Sequence, residues 1–275
     1  MAGANLTQSS KGNPSVRLSI DAWLDYTLAF PADLLFALEV AQMDDQVLVT
    51  DRLVATGVDL LHPIAGADSV GQRTWASAAG RISVHYTATV DVSRSPAVLA
   101  NLGADRLHDL PPQVVQYLLP SRYCEADRFG TAVRREFGEL AGGAMIEAMA
   151  DWIRGHVEYV PGTSDTNTTA ADTYVSRSGV CRDFAHLMTA MARAAGVPAR
   201  VVGAYAWALE PQDFHAVTEV WLDGAWHLVD ATGLAQTDGI VRVAAGRDAT
   251  DISFLTIFGQ AQLNEQRVTV DRIDG

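Results

Sequence analysis

Cysteine is scarce in this sequence: the 275 residues include only Cys124 and Cys181. Two cysteines give no disulfide framework in a chain of this length, and a reducing compartment would keep both as thiols. The sequence also has no C-x-x-C pair, no H-E-x-x-H motif, no carboxylate-rich calcium loop and no glycine-rich phosphate loop after a predicted strand. We therefore expect no metal and no nucleotide cofactor.

Long apolar runs and basic runs are missing as well. No apolar run is long enough to span a bilayer, and the polar residues 1–15 lack the apolar segment of a secretory signal. The net charge of −13 disfavours binding to nucleic acid or to anionic lipid. The sequence thus predicts a cytoplasmic protein with no membrane or nucleic-acid partner, and it leaves the oligomeric state open.

Hydrophobic residues make up 48% of the chain, which is enough for a full core. Strand-like runs at residues 16–28 and 81–92 predict an antiparallel β-rich region, while residues 31–41 fit either a helix or a buried strand. A proline-containing connector follows, between residues 96 and 127. We predict an N-terminal β-rich domain at residues 14–100 and a catalytic domain, with this helical connector, at residues 101–275.

The second half of the chain predicts helices and then strands, which makes the fold class α+β. Helical patterning from about residue 131 to 157 is interrupted at Gly142 and Gly143, and a later apolar helix ends before Gly196. Strand-like runs come next, and Asp223-Gly224 separates two of them. Asp-Gly between such runs is among the strongest signals for a β-hairpin.

Cys181 lies where a helix is predicted to begin, two residues after Gly179. The free N–H groups and the positive dipole end of a first helical turn favour a thiolate and can donate to an oxyanion. Position alone does not distinguish a nucleophile from a small buried residue, because free cysteine is often buried. In the same turn, Asp183 fits either a dipole-stabilised carboxylate or an acceptor that holds the loop.

The predicted hairpin supplies a base for this thiol. A two-residue turn sets Leu222 opposite Ala225 and Val217 opposite Asp230. His215 shares a strand face with Val217, so His215 and Asp230 are diagonal neighbours on one face, within reach of each other's side chains. In such a pair, the carboxylate orients the imidazole and the other ring nitrogen faces the thiol.

Other candidate residues fit structural roles better. His227 falls on the reverse face from Asp230, and His186 points about 140° away from the Cys181 sulfur on a helix of about 100° per residue. Cys124 has no paired histidine and no clear helix start. Trp221 and Trp226 are opposed near the turn of the hairpin and predict cross-strand packing more than a substrate wall.

Two stretches, GVCRDFAHLMTAMARAAGVPARVVGAY and DFHAVTEVWLDGAWHLVDAT, carry a family resemblance. Together they resemble the core of the transglutaminase-like superfamily, and in particular its bacterial branch described as cysteine proteases; the resemblance covers roughly residues 140–251. It implies a papain-like core in which Cys181 is the nucleophile, His215 the general base and acid, and Asp230 the orienting carboxylate. The resemblance also makes Arg247 and Asp248 candidates for the rim of the site, although a turn salt bridge fits them equally well.

Three functions remain open at this point. The first is hydrolysis of a peptide or amide bond in a protein or peptide substrate, through a thioester acyl-enzyme. The second is transfer of the acyl group to an amine, as in a transglutaminase, and the third is a binding module without catalysis. We expect hydrolysis, because Val217 stands where many relatives have tryptophan and nothing else indicates an amine channel. We expect the Cys181 N–H to be one oxyanion donor; the second is unassigned and could come from anywhere in residues 163–174.

Overall fold

The structure is a computed structural model that describes residues 15–273. The start of the predicted N-terminal domain at residue 14, the polar segment before it and the last two residues lie outside the described residues. Within residues 15–273, no helix is both long enough and apolar enough to cross a membrane.

A seven-stranded antiparallel sheet occupies the N-terminal part of the chain. Burial alternates along much of its central strands, as expected for a sheet with one face on a core. The predicted run at residues 16–28 forms one strand, the run at residues 81–92 is part of a longer one, and residues 31–41 begin as a buried strand. The strands are β1 (Val16–Leu28), β2 (Ala32–Phe36), β3 (Gln46–Val58), β4 (His62–Ala65), β5 (Gln72–Val92), β12 (Leu255–Ile257) and β13 (Ala261–Ile273).

Two strands of this sheet come from the end of the chain. β13 pairs along β1, from Arg17 opposite Ile273 to Leu28 opposite Ala261, and β12 pairs with β2. The chain therefore leaves the sheet after β5, builds the second half of the molecule and returns. The domain division near residue 100 remains a prediction, and the shared strands fix the end of the chain to its beginning.

The second half contains the helices and a four-stranded antiparallel sheet in the order β10-β9-β8-β11. The helical patterning from residue 131 to 157 is interrupted near Gly142, as predicted. The strands are β6 (Glu158–Tyr159), β7 (Ser178–Gly179), β8 (Ala199–Ala206), β9 (His215–Leu222), β10 (Ala225–Val229) and β11 (Ile240–Gly246). The helices are α1 (Pro112–Val115), α2 (Gly130–Phe137), α3 (Gly142–His156), α4 (Ala170–Ser176), α5 (Cys181–Ala194) and α6 (Ala249–Ile252).

Helix α5 is the centre of this half, and nearly all of its residues after the first turn are buried. It packs against β9, where the Thr218 hydroxyl donates to the Ala185 carbonyl at 3.1 Å. Such a fully buried helix needs apolar residues on every side, which the run from Phe184 to Ala192 largely supplies. The packing fixes the N-terminal end of α5 relative to the start of β9.

A buried ion cluster joins β8, β9 and β11 to the N-terminal sheet. Glu219 is completely buried and accepts from Arg200 at 2.7 Å, and it also accepts from Arg242. Arg242 in turn donates to Asp45 at 2.9 Å, just before β3. Because a buried charge without a partner is costly, this cluster holds the two sheets in one arrangement.

Candidate active site

Cys181 is the first residue of α5, as the sequence predicts, and its side chain is partly exposed. The turn before it depends on Gly179, where an added Cβ would lie 2.7 Å from the Cβ of Asp183. This close approach lets the Asp183 carboxylate accept the Val180 N–H at 2.9 Å. Asp183 also accepts from Arg182 at 3.0 Å, so of its two predicted roles the structure shows the one that holds the loop.

The hairpin has the predicted register. Leu222 faces Ala225, and both turn residues have positive φ, 47° at Asp223 and 75° at Gly224. A two-residue hairpin turn of this kind requires such angles, which Asp-Gly readily adopts. β10 ends at Val229, so Asp230 follows directly after the strand.

His215 and Asp230 meet as the register predicts. The Nε2–H of His215 donates to Oδ2 of Asp230 at 3.0 Å, and both side chains are buried. The backbone N–H groups of Ala235 and Thr232 donate to Oδ2 and Oδ1 of Asp230, each at 2.9 Å. Burial alone would raise the pKa of Asp230, but the hydrogen bonds, the largest from His215, hold that pKa below its usual value. Asp230 is therefore a fixed carboxylate.

The other nitrogen of His215, Nδ1, is buried and has no nitrogen or oxygen partner within the described chain. Burial alone would lower the pKa of His215, but the hydrogen bond to Asp230 and then the nearby Cys181 thiol raise it to about 10. Since Asp230 occupies Nε2, the free Nδ1 is the nitrogen left for the thiol. The structure therefore brings Cys181, His215 and Asp230 together; the catalytic roles assigned to them stay predictions.

Tyr159 is a neighbour of Cys181 that sequence reasoning missed. It pairs with Gly179 across β6 and β7, and its ring lies 5.9 Å from that of Phe184 in α5. Partial burial and then the nearby Cys181 thiol raise the pKa of Tyr159 to about 12. Tyr159 thus lies in the strand pair that leads directly into Cys181. The segment named from the sequence, residues 163–174, begins further along the chain and contributes Thr166 to the cavity wall, so it stays a prediction. Only the pairing of two very short strands could have indicated Tyr159.

The remaining histidines and Cys124 have structural contacts. His186 is buried, stacks on Tyr123 with centroids 5.1 Å apart and accepts the Ala249 N–H at 3.1 Å. Burial lowers the pKa of His186 to about 4 and raises that of Cys124 to about 12. His227 lies opposite Val220 and donates to a backbone carbonyl at 3.1 Å.

Arg247 and Asp248, the two candidates for the rim of the site, interact with residues outside the Cys181–His215 pair. Arg247 forms a salt bridge with Asp251 at 2.9 Å, which is the turn pair that the sequence left open. Asp248 is buried and accepts the N–H groups of Tyr123 and Thr250, at 3.1 and 3.0 Å. Asp248 thus holds the wall of the site without facing its chemistry.

The predicted tryptophan pair packs as a cross-strand pair. The rings of Trp221 and Trp226 lie edge to face with centroids 5.3 Å apart. Trp226 also packs against Tyr117 and beneath Arg200. Both tryptophans lie outside the walls of the cavity that contains Cys181.

A cavity of about 400 Å³ is lined by Cys181 and His215. Its other walls come from the segment around Tyr123, from Phe214 and from residues 249–256. Among residues 15–273, no group of three or more histidine, cysteine, aspartate or glutamate side chains is arranged to hold a metal ion. The cavity wall contains the thiol of Cys181 and the imidazole of His215, and Asp230 holds that imidazole from outside the cavity.

The α+β fold, the thiol at the start of a helix and the neighbouring histidine–aspartate pair together indicate one class of protein, which comparison with known proteins identifies. The family model of the transglutaminase-like superfamily matches residues 131–231. The crystal structure of a protein from Cytophaga hutchinsonii, named as a candidate cysteine protease, is 32% identical with a TM-score of 0.88, covering 96% of this chain and 92% of that one. The chain belongs to the transglutaminase-like superfamily, and the predicted fold class is confirmed.

A curated relative is an uncharacterized protein from Mycobacterium leprae. It is 31% identical over 119 residues, which cover 39% of this chain and 42% of that protein. The match spans less than half of this relative's length.

Proposed function

We propose that the protein is a cysteine peptidase or amidase that acts through a thioester acyl-enzyme. The observation that carries this proposal is the environment of His215: Nε2 is bound to the buried Asp230, and Nδ1 is free in the wall that also holds Cys181. This arrangement suits a base that accepts a thiol proton and later returns it to a leaving group. The name of the relative from Cytophaga hutchinsonii supports the same chemistry.

In the first half of the proposed reaction, Nδ1 of His215 holds the proton of the Cys181 thiol, which the raised pKa of His215 favours, and the thiolate attacks the carbonyl carbon of a peptide or amide bond. The C–N bond then breaks as His215 protonates the departing amine, which leaves a thioester on Cys181. Asp230 keeps the imidazole in the orientation and tautomer that this transfer needs. Each proton is thus carried by a group that the hydrogen bonds already position.

The negative charge that develops on the carbonyl oxygen needs donors beside Cys181. The N–H of Cys181 lies in the first turn of α5, and Tyr159 pairs with Gly179, two residues before Cys181. In this proposal, the carbonyl oxygen takes the place between these two groups, and Tyr159 is the second oxyanion donor. A tyrosine phenol, whose ordinary pKa is about 10, is protonated at neutral pH, so it can donate.

In the second half, His215 removes a proton from water, and the resulting nucleophile hydrolyses the thioester. Transfer to an amine instead would require the site to exclude water and to bind the amine. Thr250 and Ser253 are exposed residues in the cavity wall, so the cavity is open to water. This access favours hydrolysis over amine transfer.

The test separates turnover from the choice of acceptor. Wild type and Cys181→Ala are incubated with peptide libraries and, separately, with a glutamine peptide and excess labelled primary amine; products are identified by mass. We expect cleaved peptides or free acid with wild type and no product with the variant. Labelled peptide that accumulates much faster than free acid would establish a transglutaminase, whereas no product of either kind would favour a binding module.

A further inference from the structure

The cavity beside Cys181 has an aromatic floor that the proposed reaction does not use. The rings of Phe214 and Phe254 stack with centroids 3.9 Å apart, and both lie in its wall with Ile252. Tyr205 supports the two rings from beneath at 5.7 and 6.1 Å. Apolar surface of this kind gains free energy when a substrate side chain removes it from water.

The N-terminal sheet fixes one half of this floor. The Ala37 N–H donates to the Phe254 carbonyl at 3.0 Å, and the next residues, β12, pair with β2. Tyr205, under the rings, donates its hydroxyl to the Leu38 carbonyl at 2.9 Å. The pocket is therefore built by both halves of the molecule, and its aromatic wall is held in place before a substrate arrives.

The charges that line the cavity are of one sign. Arg122 and Arg182 are the charged residues in its wall, in a chain whose net charge is −13. Arg182 is engaged by Asp183 at 3.0 Å. Arg122 is exposed, lies over the Tyr123 ring at 4.9 Å and forms no salt bridge with a carboxylate of the described residues. It is thus the guanidinium available to an anionic group of the substrate.

We propose that the cavity selects peptides with a bulky apolar residue at the scissile carbonyl and an acidic residue beside it. The apolar side chain lies on Phe214 and Phe254, and the carboxylate pairs with Arg122. This inference rests on the proposed function, because it assigns the cavity to the acyl-donor side of Cys181. The net negative charge of the protein repels acidic peptides at a distance, so the preference for them is local and weakens with salt.

The first experiment compares amide substrates in one peptide frame. The acyl residue is Phe, Leu, Ala or Gly, and its neighbour is Glu or Gln, placed before or after it. We expect kcat/KM for Phe and Leu to exceed that for Ala and Gly about tenfold or more, because a hydrophobic pocket discriminates by at least this factor between large and small apolar side chains. Glu should exceed Gln about two- to fivefold at low salt, which is typical of one partly exposed ion pair.

Matched variants assign these preferences to residues. Phe254→Ala should remove most of the preference for Phe and Leu, while Phe258→Ala, an exposed phenylalanine outside the cavity, should keep it. Arg122→Gln should remove the preference for Glu. Arg128→Gln, an exposed arginine paired with Glu125, is its control.

Binding to Cys181→Ala separates the selectivity from the chemistry. Labelled Phe-Glu and Gly-Gln peptides are titrated against this variant by fluorescence polarisation, and tighter binding of Phe-Glu is expected. Selective binding without turnover by wild type would refute the proposed function and support only the binding preference of the cavity. Turnover by wild type at equal rates for Phe and Gly, or unchanged selectivity in Phe254→Ala and Arg122→Gln, would overturn this inference and keep the proposed function.

Discussion

His215 donates its Nε2–H to Oδ2 of Asp230 at 3.0 Å, and Asp230 accepts from three further donors. Both carboxylate oxygens are therefore occupied by N–H or O–H groups. An asparagine at this position has one oxygen and one NH₂, so either rotamer sets its NH₂ against donors or forces the other imidazole tautomer. The hydrogen bonds of Asp230 thus specify a carboxylate.

Asp230→Asn should lower kcat by about 10²- to 10⁴-fold, because the tautomer that accepts a proton at Nδ1 is lost. Steady-state kinetics and the circular dichroism of the folded protein are the measurements. Asp223→Asn is the matched control, since it changes an exposed turn aspartate of the same hairpin. A drop of less than about tenfold in Asp230→Asn would make Asp230 a structural residue.

Cys181→Ala and His215→Ala should each abolish most turnover, and the double variant should be little worse than either. When two side chains act together in one step, removing either one already removes most of the rate enhancement, so the rate losses of the single variants do not multiply in the double variant. Cys181 is only partly buried at a helix start, so Cys181→Ala should leave the unfolding temperature nearly unchanged. Multiplicative losses in the double variant would mean that one of the two residues is misassigned.

Iodoacetamide should label Cys181 much faster than Cys124. Cys124 is completely buried, and burial raises the pKa of its thiol to about 12, so little thiolate is available at neutral pH. Peptide mapping by mass after timed exposure gives both rates in one sample. Cys124→Ala should keep the fast phase and Cys181→Ala should lose it; equal slow labelling of both cysteines contradicts the proposed nucleophile.

The activity should persist to high pH. The pKa of His215 is raised from 6.5 to about 10, so the folded state favours its protonated form. That contribution to stability is fully present below about pH 6.5 and is lost as the pH rises through about 10. In the proposed reaction the protonated imidazole is the acid that releases the amine, so the alkaline limb of kcat/KM should lie near pH 10.

Asp230→Asn should move this alkaline limb to lower pH, because hydrogen bonding to Asp230 is the largest cause that raises the pKa of His215. The pH–rate profile of the residual activity measures the shift, after unfolding has been excluded at each pH. An alkaline limb near neutral pH in wild type would contradict the proposed role of His215.

Local sequence signals were sufficient to place His215 beside Asp230 and Cys181 at the start of a helix. The start of α5, the Asp-Gly turn and the opposed pairs of β9 and β10 all follow from residue periodicity and turn chemistry, and the structure has each of them. Asp230 could be placed beside His215 because a two-residue turn leaves one register. Because His215 and Asp230 are close in the sequence, their contact could be predicted.

The rest of the site depends on contacts between distant segments. Tyr159 reaches Cys181 through the pairing of two strands of two residues each, and Phe254 reaches the cavity after the chain has crossed both sheets. Neither position has a periodic signal of its own. The return of β12 and β13 to the N-terminal sheet has the same origin, since antiparallel pairing of distant strands is set by the packing of the whole core.

Tyr159→Phe tests the proposed second oxyanion donor. The change removes one hydroxyl and keeps the ring that contacts Phe184, so the fold should be retained. If the phenol donates to the developing oxyanion, kcat should fall by about 10²- to 10³-fold with little change in KM, because that charge exists only in the transition state. Tyr174→Phe is the control, since Tyr174 stacks on Trp152, away from the cavity.

An increase in kcat for Tyr159→Phe would assign Tyr159 a different role. The phenol also interacts with the thiol of Cys181, so a hydroxyl that only shields the nucleophile would slow the enzyme. In that case Tyr159→Phe would raise both kcat/KM and the rate of iodoacetamide labelling. The two roles differ in the sign of the effect on kcat, and faster turnover in Tyr159→Phe would remove Tyr159 from the oxyanion site while leaving Cys181, His215 and Asp230 in their proposed roles.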